Sequence, residues 1–385
     1  METSRLMFVF GTRPEAIKMA PLVREARLRR NFEVAVVVTA QHRRMLDDVL
    51  GAFEIRPDED LDIMQPGQSL FHVTARAVSL MEPVLGRHRP DILIVQGDTT
   101  TTMVGALCGF YAGTAVAHVE AGLRSGHKRS PFPEEVNRKI VSVIADHHFA
   151  PTDAAADHLH REGIDPNTIH VTGNTGIDAL MWMTRQVAGQ PCPSAELAAI
   201  DTAYPRIVLV TGHRRESFGA PMDRIFNALH RLSRQNPRVG FVYPVHLNPQ
   251  VQKPAAKHLG DLKNFFLLPP LSYPTFCWLM QRCHLVVTDS GGIQEEAPAL
   301  GKPVLVTRRV TERPEAVDRG MAFLVGDDVE MIVSSVQRLL DDETFYAGMA
   351  KGLSPYGDGN ASARILDVLS CSSISDATTW TRKIW

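Results

Sequence analysis

Three carboxylates and one histidine stand where an α/β chain exposes its working groups. Asp98 follows the apolar run Ile92-Leu93-Ile94-Val95-Gln96-Gly97, and Glu120 ends the run Ala115-Val116-Ala117-His118-Val119. Glu134, with Glu135 beside it, opens a helical pattern after Pro131-Phe132-Pro133, and His213 follows Arg206-Ile207-Val208-Leu209-Val210-Thr211-Gly212. A carboxylate at the mouth of a buried strand is partly desolvated, so its proton affinity can be tuned toward neutral pH for general acid–base work. Three acids converging, with an imidazole opposite, would supply both a proton donor and a proton acceptor. Each also has a simpler reading: Asp98 can cap a helix over 100–113, and Glu134 can pair with Arg138.

A second constellation suits an anion. In Val286-Val287-Thr288-Asp289-Ser290-Gly291-Gly292-Ile293-Gln294-Glu295-Glu296 a strand ends and Ser290 can cap the helix that follows. Gly291 and Gly292, lacking Cβ atoms, would let phosphate oxygens reach the N–H groups at the positive end of that helix. Glu296, nearly two turns in, can accept hydrogen bonds from a ribose, and Phe276 can stack on a base. Arg308, Arg309 and Arg313, after the next strand, add cations near the same sheet edge. In Gly11-Thr12-Arg13-Pro14-Glu15-Ala16-Ile17-Lys18, Arg13 and Lys18 are placed to meet a pyrophosphate. The spacing is neither a Walker loop nor Gly-x-Gly-x-x-Gly, so a nicotinamide cofactor is not indicated. Neither a metal nor any other cofactor is expected.

The elements that must position these groups are parallel strands alternating with helices. Strands are predicted at 6–10, 34–39, 92–96, 115–119, 147–150 and 169–172, and again at 206–211, 240–244, 265–268, 284–288, 303–306 and 322–325. The strand–glycine–charge signature thus occurs in both halves, at Gly11 and at Gly212. The fold class expected is α/β, with two Rossmann-like domains facing across a central cleft, Arg13 on one wall and His213 on the other. The first domain covers 1–188 and carries the acids, and the second covers 189–358 and binds the nucleotide. They join near the Gly- and Pro-containing segment 187–194. A C-terminal helix within 359–385, seen best at 359–371, is expected to pack back on the first domain, with 372–385 weakly ordered.

A length of 385 residues suits two domains, and the 44% apolar and 22% charged fractions are those of an ordinary globular protein. A formal charge of −2 makes no electrostatic case for nucleic acid or a membrane surface. Charged residues interrupt every apolar run before it reaches a bilayer-spanning length, and the N-terminus is expected to enter a strand with no leader. Five scattered cysteines without metal-ligand spacing read as reduced thiols of a cytoplasmic protein.

In order along the chain, GTRPEAIKMAP (11–21), QGDTTTT (96–102), HVEAGLRS (118–125), SPFPEEVNR (130–138), TGHRRESFG (211–219), TDSGGIQEEAPALGKPVLV (288–306) and TERPEAV (311–317) resemble the motifs of the non-hydrolysing UDP-N-acetylglucosamine 2-epimerases. The resemblance implies a glycosyltransferase-B type fold and reversible epimerisation at C2 through loss and re-addition of UDP. It implies catalytic roles for Asp98, Glu120, Glu134 and His213. Substrate contacts are implied for Arg13, Lys18, Arg138, Leu271 (through its backbone), Phe276, Ser290, Gly291, Gly292, Glu296 and Arg313. The partners implied are UDP-N-acetylglucosamine, UDP and a second copy of the chain in a homodimer. Two departures stand out. Arg308-Arg309-Val310 replaces the family's Arg-Asp-Thr or Arg-Asn-Thr. Arg44 and Gly67 stand where members activated by a second UDP-N-acetylglucosamine have Gln and Arg. Two related chemistries, a UDP-sugar-dependent glycosyltransferase and a hydrolysing epimerase, would use a similar chain.

Overall fold

Strands buried on both faces need continuous apolar runs, and this chain has two sets of them. The computed structural model describes residues 3–40, 43–65, 67–352 and 354–371, and of Arg43 and Arg44 the backbone only. The expected tail 372–385 and the side chain of Arg44 lie outside the described residues; Gly67 sits in a turn with φ +71°. The chain forms two compact units, one of Met1–Ala179 with the C-terminal segment from Tyr356, the other of Leu180–Pro355. It passes between them inside the helix Thr175–Val187.

The first unit holds β1 (Ser4–Phe10), β2 (Phe32–Val38), β3 (Glu59–Asp60), β4 (Ile92–Gln96), β5 (Ala115–Val119), β6 (His147–Ala150) and β7 (Ile169–Val171). They form one parallel sheet in the order β3-β2-β1-β4-β5-β6-β7. The order reverses between β1 and β4, the switch point at which open α/β sheets hold ligands beyond their carboxyl ends. Gly11, Asp98 and Glu120 follow β1, β4 and β5 there. Gly11 is sterically required: a Cβ would stand 1.8 Å from Thr39 Oγ1.

The turn after β1 is fastened by Glu15, which is fully buried and accepts from the N–H groups of Gly11 (3.0 Å) and Thr12 (2.7 Å). It also accepts from Thr99 Oγ1 at 2.6 Å, so one carboxylate ties the β1 turn to the β4 turn. Burial raises its carboxyl above the ordinary range, against the pull of these donors. The C-terminal helix Ala361–Cys371 packs on the helix Arg13–Leu28, with Arg29 paired to Asp367 at 2.6 Å. Asp178 caps that helix by accepting from Ala361 N (3.1 Å) and Ser362 N (2.6 Å).

The second unit holds β8 (Arg206–Thr211), β9 (Val239–Pro244), β10 (Phe265–Leu268), β11 (Leu285–Thr288), β12 (Val304–Val306) and β13 (Ala322–Leu324). Their parallel order β10-β9-β8-β11-β12-β13 puts the switch point between β8 and β11, where His213 and Ser290 follow. Val208, Val210, Phe241, Tyr243, Leu285 and Val287 fill the core beneath it. The architecture is α/β throughout, with two Rossmann-like sheets.

Candidate active site

In the first unit, the acids are set apart by what holds them. Glu120 leaves β5 with φ +64°, a left-handed conformation that costs a non-glycine residue about 1–3 kcal/mol. Its buried carboxylate is gripped on both oxygens: Lys18 Nζ meets Oε1 at 2.5 Å, and the Gln96 amide donates to Oε2. Asp98 Oδ2 pairs with the Arg138 guanidinium, and Asn137 Nδ2 donates to the Asp98 carbonyl at 2.9 Å. Asp98 is therefore not the cap of its helix. Thr99 fills that position and accepts from Thr102 N. Nor does Glu134 pair with Arg138, whose second nitrogen is taken by Glu135 at 3.1 Å. Glu135, fully buried, also accepts from Ser125 N and Gly126 N, so it anchors the loop and positions Arg138. Glu134 heads the same helix, Glu134–Ile144, and its Oε2 is buried with no hydrogen-bond partner. Arg13, half-buried, opens the helix Arg13–Leu28 behind the capping box of Thr12 and Glu15. The structure thus joins Lys18 to Glu120 and Arg138 to Asp98.

His118, beside Glu120, is buried and its Nε2 meets the Gly97 carbonyl at 2.7 Å, buttressing the turn that carries Asp98. Burial pushes this imidazole down to about 3, so it is neutral and donates there.

In the second unit, Asp289 organises the loop after β8. It is 1% exposed and accepts from the N–H groups of His213 (2.9 Å) and Arg214 (2.9 Å). His213 Nδ1 lies 3.4 Å from Asp289 Oδ1, which favours a proton on Nδ1 and leaves Nε2 as an acceptor. Burial lowers the His213 imidazole below its usual range, opposed by Asp289 and reinforced by Arg214 and by His246, on which its ring stacks at 5.6 Å.

Ser290 occupies the cap position of the helix Gly291–Ala299, yet its hydroxyl makes no capping bond. The first-turn N–H groups of Gly291 and Gly292 point out of the helix as anion donors. Two guanidinium groups flank this end, because a Cβ on Gly291 would lie 3.4 Å from both Arg214 Nη2 and Arg313 Cζ. Arg313 is braced by the buried Glu295 at 2.7 Å, while Glu296 is half-exposed on the next position. Arg308 is already engaged by Glu216 and Glu312 at 2.6 Å each. Burial acts to raise the Glu312 carboxyl, but Arg308 holds it down to about 2. Arg309 points away to Asp327 at 3.2 Å. The cations at the helix end are therefore Arg214 and Arg313. Leu271 and Phe276, both half-buried, lie in the loop after β10 and in the helix Tyr273–Arg282 that follows.

Sequence reasoning passed over Gln96, Glu135, Arg214 and Asp289. Asp289 carried a signal, an acid closing a buried strand; Gln96 carried a weaker one, a polar residue ending an apolar run.

Arg313→Ala leaves Glu295 buried without its cation. The expected cost is about 3 kcal/mol of stability, read by denaturant unfolding. An unchanged unfolding midpoint would remove the pair from the stability of this helix end.

Each unit is a Rossmann-like sheet, as in proteins of the glycosyltransferase-B type, one with a glycine-started, arginine-flanked helix end and the other with paired acids. Comparison with known proteins agrees. A family model described as UDP-N-acetylglucosamine 2-epimerase matches residues 24–370. The UDP-N-acetylglucosamine 2-epimerase of Yersinia pestis is 53% identical over 369 residues, covering 95% of this chain and 98% of that protein. The enzyme of the same name from Escherichia coli strain K12 is 50% identical, covering 96% and 100%. The crystal structure of UDP-GlcNAc 2-epimerase from Neisseria meningitidis bound to UDP-GlcNAc superposes with a TM-score of 0.88 at 43% identity, over 96% of this chain and 100% of that one. This chain belongs to the UDP-N-acetylglucosamine 2-epimerase family.

Among the described residues, no group of three or more His, Cys, Asp or Glu is placed to hold a metal ion, and no helix is long and apolar enough to cross a membrane.

Proposed function

We propose that this chain interconverts UDP-N-acetylglucosamine and UDP-N-acetylmannosamine without hydrolysing either. Carrying this reading, beside family membership, are two carboxylates at one sheet edge, each with a cationic partner, and a third, Glu134, at the head of the helix that carries Arg138. The C2 proton of the sugar is not adjacent to a carbonyl, so direct deprotonation is too slow. Elimination solves this: the C1–O bond to UDP breaks, positive charge grows at C1, and the C2 proton becomes removable. A 2-acetamidoglucal and UDP result, and UDP then adds back at C1 as a proton reaches the other face of C2.

The reading assigns the diphosphate to the first-turn N–H groups of Gly291 and Gly292, the Ser290 hydroxyl, Arg313 and Arg13, which stabilise the charge on departing UDP. Phe276 and the backbone of Leu271 take the uracil and Glu296 the ribose. Glu120 and Asp98, each held by a cation, and Glu134 share the proton transfers at C2. His213 serves near the leaving oxygen, with Nε2 as its acceptor. Lys18 and Arg138 act through Glu120 and Asp98 and touch the sugar region with them. The glucal must be kept from water, since its escape loses product.

A homodimer and a cytoplasmic location complete the reading. Supporting the first, Phe110 and Tyr111 end one helix and Val136, Ile140 and Val143 line its neighbour Glu134–Ile144, all of them exposed. Supporting the second, all five cysteines are free.

Incubation with UDP-N-acetylglucosamine alone in D2O is expected to give both epimers carrying deuterium at C2, read by proton NMR. A C2 that stays protonated after many turnovers excludes elimination. UDP with free N-acetylmannosamine would show a hydrolase, and no reaction without an acceptor would show a transferase.

A further inference from the structure

Gln96 closes β4 and is 3% exposed, yet its side chain is neither capped by solvent nor packed as a hydrocarbon. It lies beside Val119 in the β4–β5 register, one residue before Glu120, and its amide nitrogen donates to Glu120 Oε2. Its backbone carbonyl accepts from Thr102 Oγ1 at 2.6 Å, which fixes the strand end from which the side chain reaches Glu120. On the other oxygen sits Lys18. Both partners approach as donors: an ammonium can only donate, and an amide turned the other way would set its carbonyl oxygen against the carboxylate. His118 is a further titratable neighbour, neutral and committed to the Gly97 carbonyl. Two donors on two oxygens fix the plane of the carboxylate as well as its charge.

Resting on the epimerase reading, we propose that Gln96 is a positioning residue for proton transfer at C2. It orients the Glu120 carboxylate and favours its ionised form without touching the sugar. A base transfers a proton only from a narrow range of approach, so losing the amide should slow the chemical step while leaving binding alone. It should also favour protonated Glu120, because a donor to the charged form is lost.

The test uses two variants of the full-length protein that preserve the shape of the side chain. Gln96→Met removes the donor, and Gln96→Glu replaces it with a second carboxyl that must share a proton with Glu120. For Gln96→Met, kcat is expected to fall about 10- to 100-fold, within the range of a general-base contribution, with KM for UDP-N-acetylglucosamine nearly unchanged. The acidic limb of kcat/KM should move to higher pH in Gln96→Met and further in Gln96→Glu. Independently of turnover, the Gln96 side-chain amide signal in a 15N-resolved spectrum, identified by its loss in Gln96→Met, should move on Glu120→Gln.

An acidic limb in the same place in all three proteins, or an amide signal indifferent to Glu120→Gln, overturns the assignment of Gln96 and leaves the epimerase reading standing. A wild-type protein that does not turn over UDP-N-acetylglucosamine overturns both. Loss of activity accompanied by loss of the folded spectrum in Gln96→Met, with Gln96→Glu folded and its limb unmoved, assigns Gln96 to stability alone and also overturns the proposal.

Discussion

Glu120→Gln and Asp98→Asn should each lower kcat for epimerisation by about a thousandfold, in the middle of the range for removing a general acid or base. That corresponds to about 4 kcal/mol of lost transition-state stabilisation. UDP affinity should stay within a few fold, because neither carboxylate is assigned to the nucleotide, whose proposed contacts are Arg13 and groups of the second unit such as the helix Gly291–Ala299 and Arg313. The two variants should differ in stability. Glu120→Gln leaves the part-buried Lys18 ammonium facing a neutral amide, whereas Asp98→Asn leaves Arg138 still paired with Glu135. The measurement is initial rate by NMR beside UDP binding by calorimetry and a thermal melt. Turnover near the wild-type level in both would take these carboxylates out of the chemistry.

The strands were legible because strands buried on both faces leave continuous apolar runs between turn signals. All twelve predicted runs are strands, with ends shifted by up to two residues. The thirteenth, β3, is Glu59–Asp60 and has no apolar content to betray it. It is a strand only because Glu59 and Asp60 fall in register with Val37 and Val38. The alternation of helices with strands was legible too, but the caps were not. Asp98 and Thr99 are both good capping residues, and the choice was settled by Arg138, forty positions downstream, drawing Asp98 away.

The site shows the same division. That acids and glycines end strands is local information, and it was readable. Which cation meets which acid is not, because Lys18 and Glu120 are brought together by the pairing of β1, β4 and β5 across 102 positions. Glu134 and Glu135 are adjacent and identical in type, yet helical geometry turns one into a buried anchor and leaves the other with an unpartnered oxygen. Arg308, Arg309 and Arg313 looked alike as cations after β12, and their carboxylate neighbours separate them. Sequence spacing gave the inventory of groups, and tertiary pairing gave their states.

Acidification should unfold this protein through its histidines before its carboxylates. Burial lowers His118, to about 3, and lowers His147, His148 and His170 in the same sheet, as it does His213 and His284 in the second unit. A histidine lowered in the folded state keeps its stabilising effect above the unfolded value near 6.5. Below that value the unfolded chain binds the proton first, so stability falls as pH falls toward the folded value. For His118, lowered to about 3, the slope approaches about 1.4 kcal/mol per pH unit. Glu15 and Asp178 pull the other way, since burial raises both and the folded state takes up their protons early. Carboxyls that are lowered in the folded state, Glu59, Asp91 and Glu162 among them, lose their contribution only below about pH 4.5. Between pH 6.5 and 4.5 the histidines therefore dominate. Urea unfolding across that window should show stability falling steeply, and His118→Gln should flatten the fall by one proton, because glutamine can still donate to the Gly97 carbonyl but cannot titrate. Equal slopes in the two proteins would mean that His118 is not held neutral behind the Asp98 turn, and would remove the rigid support on which the placement of that acid depends.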